Sequence, residues 1–279
     1  MREYTGFASV YDMFMDNVPY DEWAEYLHDL LRENGVEKGI VCELGCGTGK
    51  MTRRLKRFGY DMIGIDFSQE MLQIAAEHEE KLKEAVSSNK TKSKKEAENN
   101  NPGGKNGSGE ILYLNQDMRE FELYGTVAAV VSVCDSMNYI TEKDDLLQVF
   151  KLVNNYLDPG GVFIFDMNTP YYYSKILGEQ TICENREEGS FIWENYYDTE
   201  TKINEFDITI YIRRNADAEG MYERMEETHF QKAYGISEVK NLLLKAGLTD
   251  IKTYQVLTKD EPGRTTERVY FVARECQKR

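Results

Sequence analysis

The sequence predicts an α/β fold in which a mostly parallel, seven-stranded sheet carries an inserted antiparallel β layer. Short apolar runs alternate with amphipathic helical patterns over residues 1–169 and return after 234, and this alternation is typical of the βαβ units of parallel sheets. Residues 170–233 are instead rich in β-branched and aromatic side chains that alternate with polar ones. That pattern is typical of antiparallel strands.

The elements of the parallel part follow from periodicity and from turn and cap residues. Strands are predicted at 39–44, 61–65, 111–114, 127–133, 162–166, 251–257 and 268–273. Helices are predicted at 21–32, 50–58, 146–157 and 237–246, with a further helix starting at the N-cap Ser68. The segment D-P-G-G at 158–161 is predicted to be a turn before the fifth strand.

Two segments interrupt this rhythm. Residues 87–110 are almost devoid of apolar side chains and rich in Lys, Asn, Ser and Gly. They bury too little surface to offset their ordering entropy, so we predict a mobile insertion. Antiparallel strands are predicted at 190–197, 202–214 and 221–232, with a turn at 215–220.

Composition excludes several classes of protein. The 279 residues include 34 basic and 49 acidic side chains, a formal net charge of −15, which disfavours polyanionic partners such as nucleic acid. We expect a cytoplasmic protein, because no apolar run reaches the ~18 residues of a membrane span and the amino terminus lacks the apolar core of a signal peptide. The five cysteines are scattered and form no C-x-x-C pair, so we predict neither a disulfide framework nor a metal site.

The segment Glu43-Leu44-Gly45-Cys46-Gly47-Thr48-Gly49 carries the strongest functional signal. It places an acidic residue and three alternating glycines between an apolar strand and a helix. Glycine is needed where the backbone adopts positive φ or where a ligand approaches it closely. The spacing fits neither the phosphate loop G-x-x-x-x-G-K-[ST] nor the dinucleotide fingerprint G-x-G-x-x-G. It therefore favours a small neutral or cationic ligand over a pyrophosphate.

Polar side chains end the next strands at the same sheet edge. Asp66 ends the second strand, where a carboxylate can accept hydrogen bonds from both hydroxyls of a ribose. Phe67 and Met71 are then placed to flank an adenine, and Asp117, after the third strand, to accept from its amino group. Cys134 ends the fourth strand, next to the predicted reacting end.

These motifs together resemble the class I S-adenosylmethionine-dependent methyltransferases. The matching segments are E-L-G-C-G-T-G, G-I-D-F-S, Q-D-M and L-D-P-G-G, and the resemblance covers most of the chain outside 87–110. The opening Y-T-G-F-A-x-x-Y-D-x-x-M and the following V-P-Y-x-x-W are similar to a narrower bacterial branch, the YqeM-like proteins. The resemblance implies a Rossmann-like sheet and S-adenosylmethionine as cofactor, with S-adenosylhomocysteine as product.

The resemblance also implies domains and residue roles. Residues 1–169 and 234–279 would form the cofactor-binding domain, and 170–233 an antiparallel β lid that binds the substrate. The glycines would bend around the methionine part of the cofactor, while Tyr4, Phe7 and Tyr11 would belong to a segment closing over it. The predicted cofactor-binding residues are Tyr11, Glu43, Gly45, Cys46, Gly47, Gly49, Asp66, Phe67, Met71, Asp117, Met118 and Cys134.

The acceptor is less constrained. A base is needed only if the acceptor must lose a proton, and the predicted catalytic candidates are His229, Asp135 and Tyr171. The aromatic side chains of the lid favour an enclosed pocket, and therefore a small-molecule acceptor methylated on nitrogen or oxygen. Three alternatives stay open: a methyltransferase acting on RNA or protein, a cofactor-binding module without catalysis, and, third, a dehydrogenase.

Overall fold

The computed structural model describes residues 8–93, 109–213 and 220–278. Its main sheet has the strand order β10-β11-β5-β4-β1-β2-β3, in which β11 alone runs antiparallel to its neighbours. These strands are β1 Ile40–Leu44, β2 Asp61–Asp66, β3 Leu112–Asn115, β4 Val127–Ser132, β5 Leu157–Asn168, β10 Leu248–Gln255 and β11 Arg268–Glu275. The predicted seven-stranded, mostly parallel sheet is thereby confirmed.

Helices cover both faces of this sheet, as its apolar strands require. Buried side chains of α2 and α3 pack on one face, and those of α5 and α6 on the other. The helices are α1 Ala8–Phe14, α2 Tyr20–Glu33, α3 Lys50–Arg57, α4 Gln69–Ser93, α5 Lys143–Tyr156 and α6 Ile236–Lys245. Within the described ranges, no helix is long and apolar enough to cross a membrane.

A second sheet is inserted between β5 and α6. It is four-stranded and antiparallel, in the order β6 Thr181–Asn185, β7 Gly189–Asp198, β8 Ile203–Arg213 and β9 Tyr222–Lys232. Phe206, Ile208 and Ile210 of β8 form one buried face, which packs against Val10 and Phe14 of α1. Helix α1 therefore lies between the two sheets.

The structure differs from the sequence predictions in four places. Helix α4 continues to Ser93, seven residues into the predicted insertion, because the local hydrogen bonds of a helix can extend it without a core. Residues 94–108 of that segment lie outside the described residues, as does most of the predicted turn at 215–220. Strand β6 and helix α1 were not predicted, since both are too short to show a clear periodicity.

The D-P-G-G segment is a bulge inside β5 and not a turn before it. Val127 of β4 pairs with Leu157 and Ala129 pairs with Val162, so four residues of β5 stand opposite one of β4. Gly160 makes this possible because its φ of 77° lies in the left-handed region.

Candidate functional site

A cavity of about 490 Å³ opens at the carboxyl ends of β1, β2, β3 and β4. Strands β1 and β4 are neighbours whose connections leave in opposite directions, and open α/β sheets bind ligands at such switch points. Every predicted cofactor-binding residue except Gly49 lines this cavity. Lining residues that the sequence analysis missed include Tyr20, Thr48, Lys50, Arg119, Ser136, Tyr139 and Phe230.

The three glycines of the loop adopt positive φ for different reasons. Gly45 has φ 70°, and a Cβ there would lie 2.6 Å from Ser136 Oγ, so its backbone packs directly on the loop after β4. Gly49 has φ 73°, and a Cβ there would collide with the hydroxyl of Tyr113. At Gly47, φ is 51° and no atom of the described residues lies within 4 Å of where a Cβ would stand. The loop thus presents bare backbone to open space at Gly47.

Asp66 joins the end of β2 to this loop. Its Oδ2 accepts a hydrogen bond from the backbone N–H of Gly47 at 2.7 Å, and its Oδ1 accepts one from Ser68 at 2.9 Å. Burial raises the pKa of Asp66, and the backbone N–H donors partly offset that rise. Each carboxylate oxygen has a second lone pair, so the side chain can still accept hydrogen bonds from a ligand.

Glu43 lies under the loop and is almost fully buried. It accepts a hydrogen bond from the Thr52 hydroxyl of α3. Desolvation raises its pKa to about 8, more than the Thr52 hydrogen bond lowers it. Glu43 therefore tethers β1 to α3 and is largely protonated at neutral pH.

Asp117 lies at the β3 end of the cavity, where Arg119 holds its side chain. The Arg119 backbone N–H and guanidinium donate to both Asp117 oxygens, at 2.5–3.0 Å. Burial alone raises the pKa of Asp117, but the hydrogen bonds from Arg119 outweigh it and lower the pKa. Phe67, which also lines this end, is 58% exposed.

The loop after β4 forms the wall below Gly45. Cys134 and Asp135 both have left-handed φ, at 60° and 53°, and a short 3-10 turn, Ser136–Tyr139, follows them. Burial raises the pKa of the Cys134 thiol well above its usual value. The thiol is therefore not a ready nucleophile at neutral pH.

Helix α1 borders the cavity through Tyr11. Asp12 accepts a hydrogen bond from the Thr48 hydroxyl at 2.7 Å and pairs with Lys50 at 3.4 Å, which ties α1 to the glycine loop. Tyr11, one residue earlier, and Tyr20 line the cavity, and burial raises the pKa of both phenols. Tyr4 and Phe7, assigned to the same segment, lie outside the described residues.

The three catalytic candidates lie outside the cavity lining that the described residues form. His229 is buried on β9, with Nε2 3.2 Å from Glu227 Oε2 and its ring stacked on Phe206. Asp135 accepts hydrogen bonds from Gln231 and Arg268, each at 2.7 Å. Tyr171 is half-buried and directly precedes a π-helical turn. Their catalytic roles stay predictions.

Comparison with known proteins gives a consistent result. The family model for the methyltransferase domain matches residues 14–253. YqeM of Bacillus subtilis (strain 168) is 32% identical over 275 residues, 98% of each chain. A crystal structure of an S-adenosylmethionine-dependent methyltransferase from Clostridium acetobutylicum ATCC 824 superposes with a TM-score of 0.75 at 26% identity, covering 97% of this chain and 98% of that one.

A third relative has a more specific name. It is the dTDP-3-amino-3,4,6-trideoxy-alpha-D-glucopyranose N,N-dimethyltransferase of Streptomyces venezuelae. The two proteins are 27% identical over 176 residues, which are 62% of this chain and 60% of that enzyme.

Proposed function

The chain belongs to the S-adenosylmethionine-dependent methyltransferases, and we propose that it methylates an amine of a small molecule held between the cofactor cavity and the four-stranded sheet. One observation carries the choice of an amine. It is the buried pair of Glu227 and His229 on the face of β9 that turns toward α1.

The cavity fits the cofactor. Its volume of about 490 Å³ lies within the range of roughly 300–1,000 Å³ that is usual for small-molecule sites. We propose that the bare backbone at Gly47 admits the methionine part, that Asp66 holds the ribose, and that Phe67 and Asp117 lie at the adenine. Bound there, S-adenosylmethionine supplies an electrophilic methyl group, and the residues of the chain orient the acceptor and exclude water.

The position of Glu227 follows from the register of the sheet. Glu227 pairs with Ile208 and His229 with Phe206, and both partners belong to the buried face that packs on α1. Residues paired across antiparallel strands share a face, so Glu227 and His229 lie on the inner one. The ring of Tyr139, which lines the cavity, is 5.9 Å from that of His229.

This pair suits the chemistry of an amine. A cation beside a buried carboxylate offsets the cost of burying its charge, and an ammonium group must lose a proton before its nitrogen can attack. His229, whose Nε2 lies 3.2 Å from Glu227 Oε2, is the proposed acceptor of that proton. The relative named as an amino-sugar N,N-dimethyltransferase supports the same substrate class, an amine on a sugar-sized molecule.

The test is a screen for transfer of a labelled methyl group from S-adenosylmethionine. The panel pairs amino sugars and their nucleotide derivatives with the corresponding hydroxyl compounds, and it includes RNA and a protein lysate. Methylation of an amine, with no labelling of the matched hydroxyl, is the expected result. Labelling of RNA or protein alone would contradict the proposal, and so would cofactor binding without transfer to any small amine.

A variant pair assigns the base. His229→Asn is expected to lower kcat/KM for the amine by about 10²–10⁴-fold, which is the usual contribution of a general base, while the affinity for S-adenosylhomocysteine is unchanged. His28→Asn is the matched control, because His28 also stacks on a phenylalanine, Phe58, but lies on α2. Equal activity of the two variants would remove His229 from the mechanism.

A further inference from the structure

We propose that Arg268, Asp135 and Gln231 form a positioning network that fixes the four-stranded sheet relative to the reacting end of the cofactor cavity. In this network Asp135 acts as a structural anchor and not as a base. The inference deepens the proposed function, since it rests on that sheet carrying the acceptor.

Arg268, at the start of β11, bridges two carboxylates. Its Nη1 lies 3.1 Å from Asp166 Oδ2 and its Nη2 lies 2.7 Å from Asp135 Oδ1, while its guanidinium stacks over the ring of Trp23. Burial alone lowers the pKa of Arg268, but the two carboxylates more than compensate and keep the guanidinium charged. A planar guanidinium suits such a bridge, because its separate N–H groups reach both acceptors at once.

Asp166 holds the loop after β4 in its unusual conformation. Its carboxylate accepts hydrogen bonds from the backbone N–H groups of Cys134 at 3.2 Å and Asp135 at 2.7 Å. These are the two consecutive non-glycine residues with left-handed φ, a conformation that persists only where the surroundings hold it. The loop they form carries Cys134 and Ser136 to the cavity wall.

Asp135 then connects this loop to the four-stranded sheet. Its Oδ2 accepts a hydrogen bond at 2.7 Å from Nε2 of Gln231, on β9, and the Gln231 Oε1 accepts one at 2.9 Å from the hydroxyl of Tyr173. From the same loop, Asn138 donates to the backbone carbonyl of Lys232 at 2.8 Å. Both oxygens of Asp135 therefore accept strong donors from other elements, as suits an anchor.

The consequence is a coupling between the two sites. Gln231 is two residues from His229 on the same strand, so the hydrogen bond to Asp135 sets the distance between the proposed acceptor site and the cavity wall at Cys134. If this network transmits cofactor binding to β9, the product S-adenosylhomocysteine should stabilise the loop and the strand together.

Hydrogen–deuterium exchange with S-adenosylhomocysteine as the probe tests this without an acceptor. In the wild type, the probe is expected to slow exchange both at 134–139 and at Tyr222–Lys232. Gln231→Glu places a carboxylate against Asp135. In that variant the probe should slow exchange only at 134–139. It should also bind at least about fivefold more weakly, because allosteric coupling between two sites usually changes affinity by about fivefold or more.

Reversal of the hydrogen bond supplies a rescue. Adding Asp135→Asn to Gln231→Glu exchanges donor and acceptor, and joint protection of the two segments is expected to return. Gln73→Glu is the matched control, since Gln73 donates to Glu77 on the exposed face of α4 and should behave as wild type.

Three outcomes would overturn the proposal: no joint protection in the wild type, joint protection retained in Gln231→Glu, or no rescue by Asp135→Asn. Faster exchange of Ile40–Leu44 would show that Gln231→Glu has lost the fold. Gln231→Met, of similar size and uncharged, would then take its place with the same expectation. None of these readouts requires methyl transfer, so they stand even if the acceptor is not an amine.

Discussion

The two sheets of this protein serve different parts of the proposed reaction and are built differently. The cofactor edge of the seven-stranded sheet is made of short local segments, each directly after a strand: the glycine loop after β1, Asp66 at the end of β2 and Asp117 after β3. The inner face of the four-stranded sheet is assembled from residues on separate strands, such as Trp193, Phe206 and His229. The first arrangement is fixed by backbone geometry, and the second by side chains that can be exchanged individually.

We expect backbone changes at the cofactor edge to have the largest effect. In Gly45→Ala, an alanine must adopt the positive φ that glycine tolerates. Its Cβ would also lie 2.6 Å from Ser136 Oγ, so the loop must move. We expect a loss of S-adenosylhomocysteine affinity of more than ~100-fold, since a displaced loop forfeits several contacts at once. Calorimetric titration measures this affinity.

Gly35→Ala is the control for that variant. Gly35 also has positive φ, at 86°, but within the described residues no atom lies within 4 Å of its Cβ position. It should lose some stability and keep its cofactor affinity. Similar affinities for the two variants would show that the close approach of Gly45 to the loop after β4 does not matter for binding.

The next largest effect is expected at Asp66. Asp66→Asn replaces one acceptor oxygen with an amide donor that faces the N–H group of Gly47 or Ser68. Loss of hydrogen bonds to a charged group costs about 1.5–3 kcal/mol, so S-adenosylmethionine affinity should fall by about 10–100-fold. Asp61→Asn, at the exposed start of the same strand, should bind normally. Unchanged affinity in Asp66→Asn would exclude Asp66 from ribose binding.

A smaller and more selective effect is expected in the four-stranded sheet. Glu227→Gln replaces the carboxyl group with a neutral amide of the same size and keeps a hydrogen-bond acceptor for His229. The KM of a cationic amine should rise by about tenfold, which corresponds to the loss of about 1.4 kcal/mol of charge interaction. The affinity for S-adenosylhomocysteine should stay the same. A rise in the KM of uncharged acceptors as well would indicate a general packing defect.

The last expected effect concerns stability and pH, and it leaves ligand affinity aside. The pKa of Glu43 is raised from 4.5 to about 8 in the folded state, so the folded state favours the protonated carboxyl group. The contribution of Glu43 to the free energy of unfolding is therefore lost as the pH rises from 4.5 through 8. Glu43→Gln keeps an acceptor for the Thr52 hydroxyl and carries no charge. Thermal unfolding should therefore show the variant gaining stability relative to wild type between pH 5 and pH 8. A difference that does not change with pH would contradict the raised pKa.

The same contrast between the sheets explains what could be predicted from the sequence. The glycine loop, Asp66 and Asp117 were found because each follows a recognisable strand at a fixed distance, and all three line one cavity. Arg268 was missed because it lies 133 residues from Asp135, its ion-pair partner, and no local spacing reveals such a contact. For the same reason, Asp135 resembled a free carboxylate at the end of a strand.

Other residues were missed for local reasons. Arg119 lies only two residues after Asp117, but a sequence does not show which way its side chain folds. Tyr139 follows a loop with two left-handed residues that are not glycine, so ordinary turn signals are absent. The acceptor side of the site therefore needed the three-dimensional contacts of β9 with the loop after β4.

We propose that the seven-stranded sheet binds the cofactor and that the four-stranded sheet selects an amine acceptor. Two-substrate initial-rate kinetics of Asp66→Asn and Glu227→Gln, measured side by side with the amine identified in the methyl-transfer screen, test this division of roles. We expect Asp66→Asn to raise only the KM of S-adenosylmethionine and Glu227→Gln to raise only the KM of the amine. A rise of both KM values in either variant would contradict this division.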